Sequence, residues 1–251
     1  MTALHIVRET TLRSWLKIIR RPVPLTFSFV QPLFWMLIFG FLFHRFTLGP
    51  EYAGLSYLDF LLPGVCAMTV LFGASQAGIA IVRDLQTGFL QRMVHSSQHP
   101  AWILTGKLVA EVARLLLQAF VVALLGIALG ARLRIDPLSL FLALLALALF
   151  ALAYSSLSCW VALKTAAPES MAVFVHALNL PLLFTSTALV PSHQMPSWLE
   201  ALAGLNPLSL VANGLRDALL LGQTPDAANL LPLLAIGVFL FVLASRKMGM
   251  A

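Results

Sequence analysis

Apolar residues in this chain collect into six long runs, at 25–43, 60–82, 108–130, 138–163, 171–190 and 230–244, with shorter polar segments between them. A hydrocarbon core about 30 Å thick takes roughly 20 residues of helix, because each backbone amide there must bond within its own segment. All six runs approach that length, the last being the shortest. The pattern therefore predicts an all-α membrane protein with six transmembrane helices. Pro22 and Pro24 suit the first turn of the first helix. Pro32 predicts a kink inside it, and Pro181 stands midway along the fifth. No internal repeat is visible, so 1–251 reads as a single domain.

Three stretches depart from the pattern. At 4–19, Leu4, Val7, Leu12, Trp15, Ile18 and Ile19 fall toward one side at helical spacing, with Arg13, Lys17, Arg20 and Arg21 opposite. This predicts an interfacial helix over 1–21 that anchors on the membrane surface. Bracing a cytosolic partner is open as a further role. In the segment 83–100, Phe89, Leu90, Met93 and Val94 fall on one helical face. An exposed apolar face of that kind suits a groove on another protein, with an ordinary interfacial loop as the alternative. Gly88 would let the chain turn at its start. The segment 191–227 holds Trp198, Leu199, Leu202, Leu205, Leu208, Leu210 and Val211 and is too apolar for a free loop. Two short helices broken at Asn206-Pro207 would form a re-entrant hairpin packed on protein.

Composition agrees with the runs. Hydrophobic residues make up 60% of the chain, charged residues 10%, and mean hydropathy is +0.91. A soluble domain carries about 25% charged residues. Cys66 and Cys159 both lie in apolar runs and read as small buried hydrophobes. The basic residues of 1–21 precede no small-residue cleavage site, so no cleaved signal peptide is expected. A net charge of +6 would suit nucleic acid, but the cations border apolar runs and point to lipid headgroups instead. With the N-terminus inside, 12 of the 16 Lys and Arg fall in inner segments, leaving only Arg45, Arg132, Arg134 and Arg216 outside. Both termini are thus expected in the cytoplasm.

Little in the sequence suggests chemistry. His95 and His99 are four apart but have no third ligand nearby, so a metal site is not expected. The one Gly-Lys pair, Gly106-Lys107, lacks the glycine and the Ser or Thr of a phosphate-cradling loop. Lys107, Glu111 and Arg114 are spaced to neighbour one another near the start of the third run. They read either as local charge compensation at the cytosolic mouth or as a gate. Gln31, Ser75, Gln76, Gln118 and Asn179 are the uncharged polar groups within runs, suited to bonding between helices. Lining of a pathway is the alternative for Gln76 and Asn179. Gly126 with Gly130, and Ala74 with Gly78, are small-residue pairs that allow close helix crossings.

Phe60-Leu-Leu-Pro-Gly64, Arg83-Asp84-Leu-Gln-Thr-Gly-Phe-Leu-Gln-Arg92, Gly106-Lys-Leu-Val-Ala-Glu-Val-Ala-Arg114 and Leu205-Asn-Pro-Leu208 followed by Arg216 stand in that order along the chain. In this combination the chain resembles permease subunits of type-2 ATP-binding-cassette exporters, in the branch that exports drugs and lipo-oligosaccharides. The resemblance implies that the 83–100 loop is the coupling helix docking on the ATPase, through Arg83, Asp84, Gly88, Phe89, Leu90, Arg92 and Met93. It implies that the chain binds no cofactor itself, ATP and Mg2+ being held by a separate cytosolic P-loop ATPase present in two copies. A second permease completes the assembly, with a homodimer expected over a heterodimer, in a bacterial cytoplasmic membrane. The hairpin would close the outer end of the pathway. The expected function is outward movement of an amphipathic drug-like, lipid-linked or glycan compound. The rivals are a membrane-embedded enzyme or a secondary transporter, the latter usually showing related halves and mid-membrane ionisable groups, and an assembly or regulatory subunit that transports nothing.

Overall fold

The computed structural model describes residues 3–20, 22–96, 100–134, 136–225 and 227–249, and among them all regular structure is helical. The helices are α1 (Ala3–Ile19), α2 (Pro22–Leu42), α3 (Tyr57–Gln86), α4 (Phe89–Ser96), α5 (Pro100–Ala128), α6 (Pro137–Thr165), α7 (Pro168–Phe184), α8 (Ser197–Leu205), α9 (Pro207–Arg216) and α10 (Ala227–Met248). Arg21 and His99 lie outside the described residues, as do the side chains of Lys17 and His95.

Local chemistry sets the ends of these helices. Ser56 caps α3: its hydroxyl accepts from the Asp59 amide at 3.2 Å, and the Asp59 carboxylate accepts from the Ser56 amide at 2.7 Å. That reciprocal arrangement satisfies two amides that the first turn leaves without partners. Asp136 caps α6 by accepting from the Ser139 amide at 2.9 Å and from its hydroxyl at 2.8 Å. These bonds hold the Asp136 carboxyl below the usual carboxylate range. After α3 the chain turns at Gly88, whose φ of +64° suits a residue with no Cβ, and α4 follows at once.

Four helical stretches are long and apolar enough to cross a membrane: α3, α5, α6 and the Leu230–Met248 part of α10. Of the other two expected spans, α2 has 21 residues, its apolar stretch running over Ser28–Leu42 among the residues whose side chains are described, and α7 has 17. Helix α7 ends at Phe184. The Thr185 amide bonds back to the Pro181 carbonyl at 2.9 Å, the helix stops, and 185–190 continues as irregular chain against α9. Helix α5 departs in the other direction, starting at Pro100 where the apolar run starts at 108.

Helix α3 is the axis of the bundle. Its most apolar window is 67% buried, against 17% for α10 at the periphery. Phe60, Leu61, Leu62, Val65 and Leu71 of α3 meet Leu115 of α5, Phe150 of α6 and Leu208 and Val211 of α9 in the main core. A smaller core at the α4 end joins Ile81, Val82, Leu90, Ile103, Leu104, Leu108 and Ala244. Close crossings rest on glycine: a Cβ at Gly78 would lie 2.4 Å from the Ser158 carbonyl, and one at Gly126 would lie 2.4 Å from Leu62 Cδ1. Gly130, expected to share a crossing with Gly126, lies beyond the end of α5 at φ +105° with open space around it, so its glycine serves a turn.

At the opposite end α8 and α9 form the two short helices expected, joined at Asn206-Pro207. Helix α9 buries Leu208, Val211, Ala212 and Leu215 in the main core, while Trp198, Leu202 and Leu205 of α8 are exposed. Past Arg216 the helix widens into a π turn over Asp217–Leu221 and ends at Gly222, φ +64°.

Candidate functional site

At the α4 end, three elements meet through polar contacts. Helix α1 lies on the start of α5 because Gly106 leaves room for it. Thr11 Oγ1 donates to the Gly106 carbonyl at 3.0 Å, and a Cβ at Gly106 would lie 2.3 Å from Thr10 Oγ1 and 2.8 Å from the Val7 carbonyl. From α1 the Arg13 guanidinium sits over the Phe89 ring of α4, 3.3 Å from its centroid. Next to it Asp84 of α3 forms an ion pair with Lys107 of α5. Replacing Gly106 by Val is expected to lift α1 off α5 at a cost of about 1–3 kcal/mol, typical of forced overpacking. A lower thermal midpoint together with faster proteolysis within α1 would register it.

The two amphipathic helices turn their faces differently. In α1 the small polar residues Thr10, Thr11 and Ser14 face the protein, while Leu4, Leu12 and Leu16 are exposed, Trp15 is half-buried and Arg20 is exposed. In α4 the apolar face is turned inward: Leu90 is 0% exposed in the second core, Phe89 lies under Arg13, and Met93 and Val94 pack partly against the same cluster. What α4 and the turn before it present outward is polar, namely Arg83, Thr87, Gln91 and Arg92. An apolar face on a short helix is satisfied by the nearest apolar surface, which here belongs to its own bundle.

A groove of about 980 Å³ runs from this junction along α3, walled by α2, α5 and α7. Trp35, Val65, Met68, Phe72, Ile79 and Val175 supply its apolar lining, Gln31, Gln76 and His176 polar groups, and Arg13, Arg83, Glu111 and Arg114 charge. Lys107, Glu111 and Arg114 do not form one cluster. Lys107 pairs with Asp84, whereas Arg114 bonds Glu111 at 2.5 and 3.1 Å, Gln118 at 3.0 Å and the Gly73 carbonyl at 3.3 Å. Gln118 in turn donates to the Ser28 carbonyl at 3.1 Å, so this network ties α5 to α3 and α2. Gly73 lies near the middle of α3. The Glu111–Arg114 pair therefore stands well inside the bundle and not at its mouth, a consequence of the early start of α5.

Gln76 and Asn179, alike in the sequence, occupy different surroundings. Gln76 is exposed in the groove. Asn179 is fully buried, accepting from Tyr154 Oη at 2.5 Å and donating to Ser75 Oγ at 2.8 Å. Ser158 continues the network, its hydroxyl donating to the Ser75 carbonyl at 2.7 Å and accepting from the Gly78 amide at 3.0 Å. The contribution of α6 was not anticipated, although hydroxyls clustered at 154–158 in an otherwise apolar run were a visible signal.

At the hairpin end one arginine gathers three elements. Arg216 is 0% exposed. Its guanidinium donates to the carbonyls of Phe60 (3.1 Å), Thr187 (2.8 Å) and Ala188 (2.9 Å) and to Asn213 Oδ1 (2.9 Å), and it lies over the Phe60 ring at 3.7 Å. Gly64 completes the seat, since a Cβ there would come within 2.0 Å of the Ala188 carbonyl. Asn206 adds a second tie, donating to the Leu182 carbonyl at 2.7 Å and to Thr185 Oγ1 at 3.0 Å. Two sequence motifs far apart in the chain, at 60–64 and 205–216, are thus parts of one joint.

A model of the ABC-2 type transporter family matches residues 7–220, from α1 through the π turn. The chain is 30% identical over 221 residues to ycf38 of Cyanophora paradoxa, which carries the name transport permease, covering 86% of this chain and 76% of that protein. It is 30% identical over 212 residues to ycf38 of Pyropia yezoensis, covering 84% and 72% of the two chains. To the daunorubicin resistance ABC transporter permease protein DrrB1 of Streptomyces coeruleorubidus it is 29% identical over 201 residues, covering 78% and 68%. With its apolar helices, its groove and these relatives, the chain belongs to the ABC-2 type transporter family as a multi-pass membrane permease subunit.

Proposed function

We propose that this permease is the membrane half of an ATP-driven exporter, with ATP and Mg2+ bound by a separate P-loop ATPase and an amphipathic compound moved outward. The observation that carries this reading is that one groove joins the two parts such a machine must couple. The Arg83–Phe89 turn, where the ATPase is expected to dock, forms one end of the wall that continues along α3, α5 and α7. A displacement imposed on α4 would reach the groove through the Asp84–Lys107 pair and the packing of Phe89 and Leu90.

In this reading α2 and α7 are the first and fifth of six spans. The 21 residues of α2 extend about 31 Å as helix, enough for the hydrocarbon core. The 17 residues of α7 come short and are completed by the irregular segment that α9 covers, since non-helical backbone survives at membrane depth only against protein. The twelve-to-four distribution of Lys and Arg places both termini and α4 in the cytoplasm. Two permeases, as a homodimer, and two ATPases complete the assembly, in a bacterial cytoplasmic membrane with α1 on its inner surface. The hairpin of α8 and α9 then closes the outer end.

Co-expression with a candidate cytosolic ABC ATPase, followed by reconstitution in vesicles, tests the proposal. The two proteins should co-purify, and the rate of ATP hydrolysis should rise with transported compound only when the permease is present. If no ATPase of this class co-purifies, or if the rate is indifferent to the permease, the exporter reading fails.

A further inference from the structure

The charges and hydrogen-bonding groups of the groove limit what it can hold. Its two acids are already committed, Asp84 to Lys107 and Glu111 to Arg114. Among the described residues the Arg83 side chain makes no hydrogen bond or ion pair, and Arg13 contacts only the face of a ring. The mouth is therefore left with positive charge that no acid among the described residues neutralises. Deeper in, Gln31, Gln76 and His176 likewise make no side-chain hydrogen bond among the described residues and are exposed to the groove. They stand on three different helices of the groove wall, α2, α3 and α7. Trp35, Met68, Phe72 and Val175 make the surface between apolar.

From this we infer that the groove takes an anionic amphiphile: a small molecule with an apolar or aromatic body and a single acidic head group. The head sits at the mouth against Arg83 and Arg13, and the body lies along α3 with Gln31, Gln76 and His176 offering hydrogen bonds. A cationic amphiphile finds no free carboxylate there. A neutral one leaves the exposed Arg83 at the mouth without a counter-charge, and charge complementarity there distinguishes ligands. The inference adds a substrate class to the exporter reading and rests on it for the claim that the ligand is transported. Binding itself requires no ATPase.

Two probes sharing one body separate the cases. 1-Anilinonaphthalene-8-sulfonate and N-phenyl-1-naphthylamine differ by the sulfonate. Binding to the purified permease in nanodiscs of zwitterionic lipid is read as energy transfer from Trp35, taken as the difference between the wild type and Trp35→Phe. The sulfonate should bind about tenfold more tightly than the neutral compound, the worth of one charge-assisted hydrogen bond. Arg83→Gln should remove that advantage and leave neutral binding unchanged. Arg92→Gln alters an exposed cation outside the groove and should change neither. Equal affinity for the two probes, equal loss in both variants, or no Trp35-dependent transfer, as when a second copy covers the groove, overturns the inference. So does complete displacement of the sulfonate by anionic phospholipid in the disc, which would give the site to bilayer lipid. Selective sulfonate binding by a permease that captures no ATPase would leave the site standing while the exporter reading failed.

Discussion

Replacing Arg216 by Leu is expected to destabilise the protein by about 3–5 kcal/mol, the range for breaking a buried charged network from one side. The substitution strands the Thr187 and Ala188 carbonyls, which have no helical partner in the irregular segment, and each such buried group costs about 1–3 kcal/mol. The usual remedy for a buried charge, replacing it and its partners with apolar groups, does not apply, because three of its four hydrogen-bond partners are main chain. Arg216→Lys keeps the charge but loses the planar fork that reaches Phe60 on one side and 187–188 on the other, together with its stacking on the Phe60 ring. It should fall between the wild type and Leu. Thermal unfolding in detergent reads the series, with a midpoint lower by roughly 10 °C for Leu in a chain of this size. A midpoint within a degree or two of the wild type would show that the joint contributes little.

That joint also shows where sequence reasoning stopped. The break at Asn206-Pro207, the two short helices around it and the turn at Gly88 were all legible, because proline, glycine and capping residues act on their own neighbours. Residues 60–64 and 205–216 were legible as motifs but not as one site. Nothing local in either says that the guanidinium of one reaches the carbonyl of the other 156 positions away. Gln76 and Asn179 teach the same lesson: two amides in apolar runs, one buried among hydroxyls and one facing the groove. Hydropathy also locates the oily part of a helix and not its beginning. The eight residues 100–107 ahead of the third apolar run, with Thr105 and Lys107 among them, hid the start of α5. That is why the Glu111–Arg114 pair was expected at the mouth.

Helix α4 gives the sharpest contrast between what periodicity shows and what it leaves open, and it can be tested with one pair of substitutions. The spacing of Phe89, Leu90, Met93 and Val94 correctly marks an apolar face but says nothing of what covers it. With Leu90 fully enclosed by Ile81, Val82, Leu104 and Leu108, Leu90→Asp is expected to bury an unpaired carboxylate or force α4 off the bundle. The cost should exceed about 3 kcal/mol, as for other uncompensated buried charges. Folded yield should collapse with or without an ATPase. Arg92→Glu, on the exposed face, should leave yield and thermal midpoint unchanged within about 0.5 kcal/mol, as for surface substitutions. If the ATPase docks on the polar face of α4, the reversal of charge should weaken its capture at least tenfold, worth about 1.4 kcal/mol. Capture is read by pull-down of the ATPase on immobilised permease, beside a thermal scan of the permease alone. A folded Leu90→Asp protein that loses only the ATPase would show that the apolar face, and not the polar one, meets the partner.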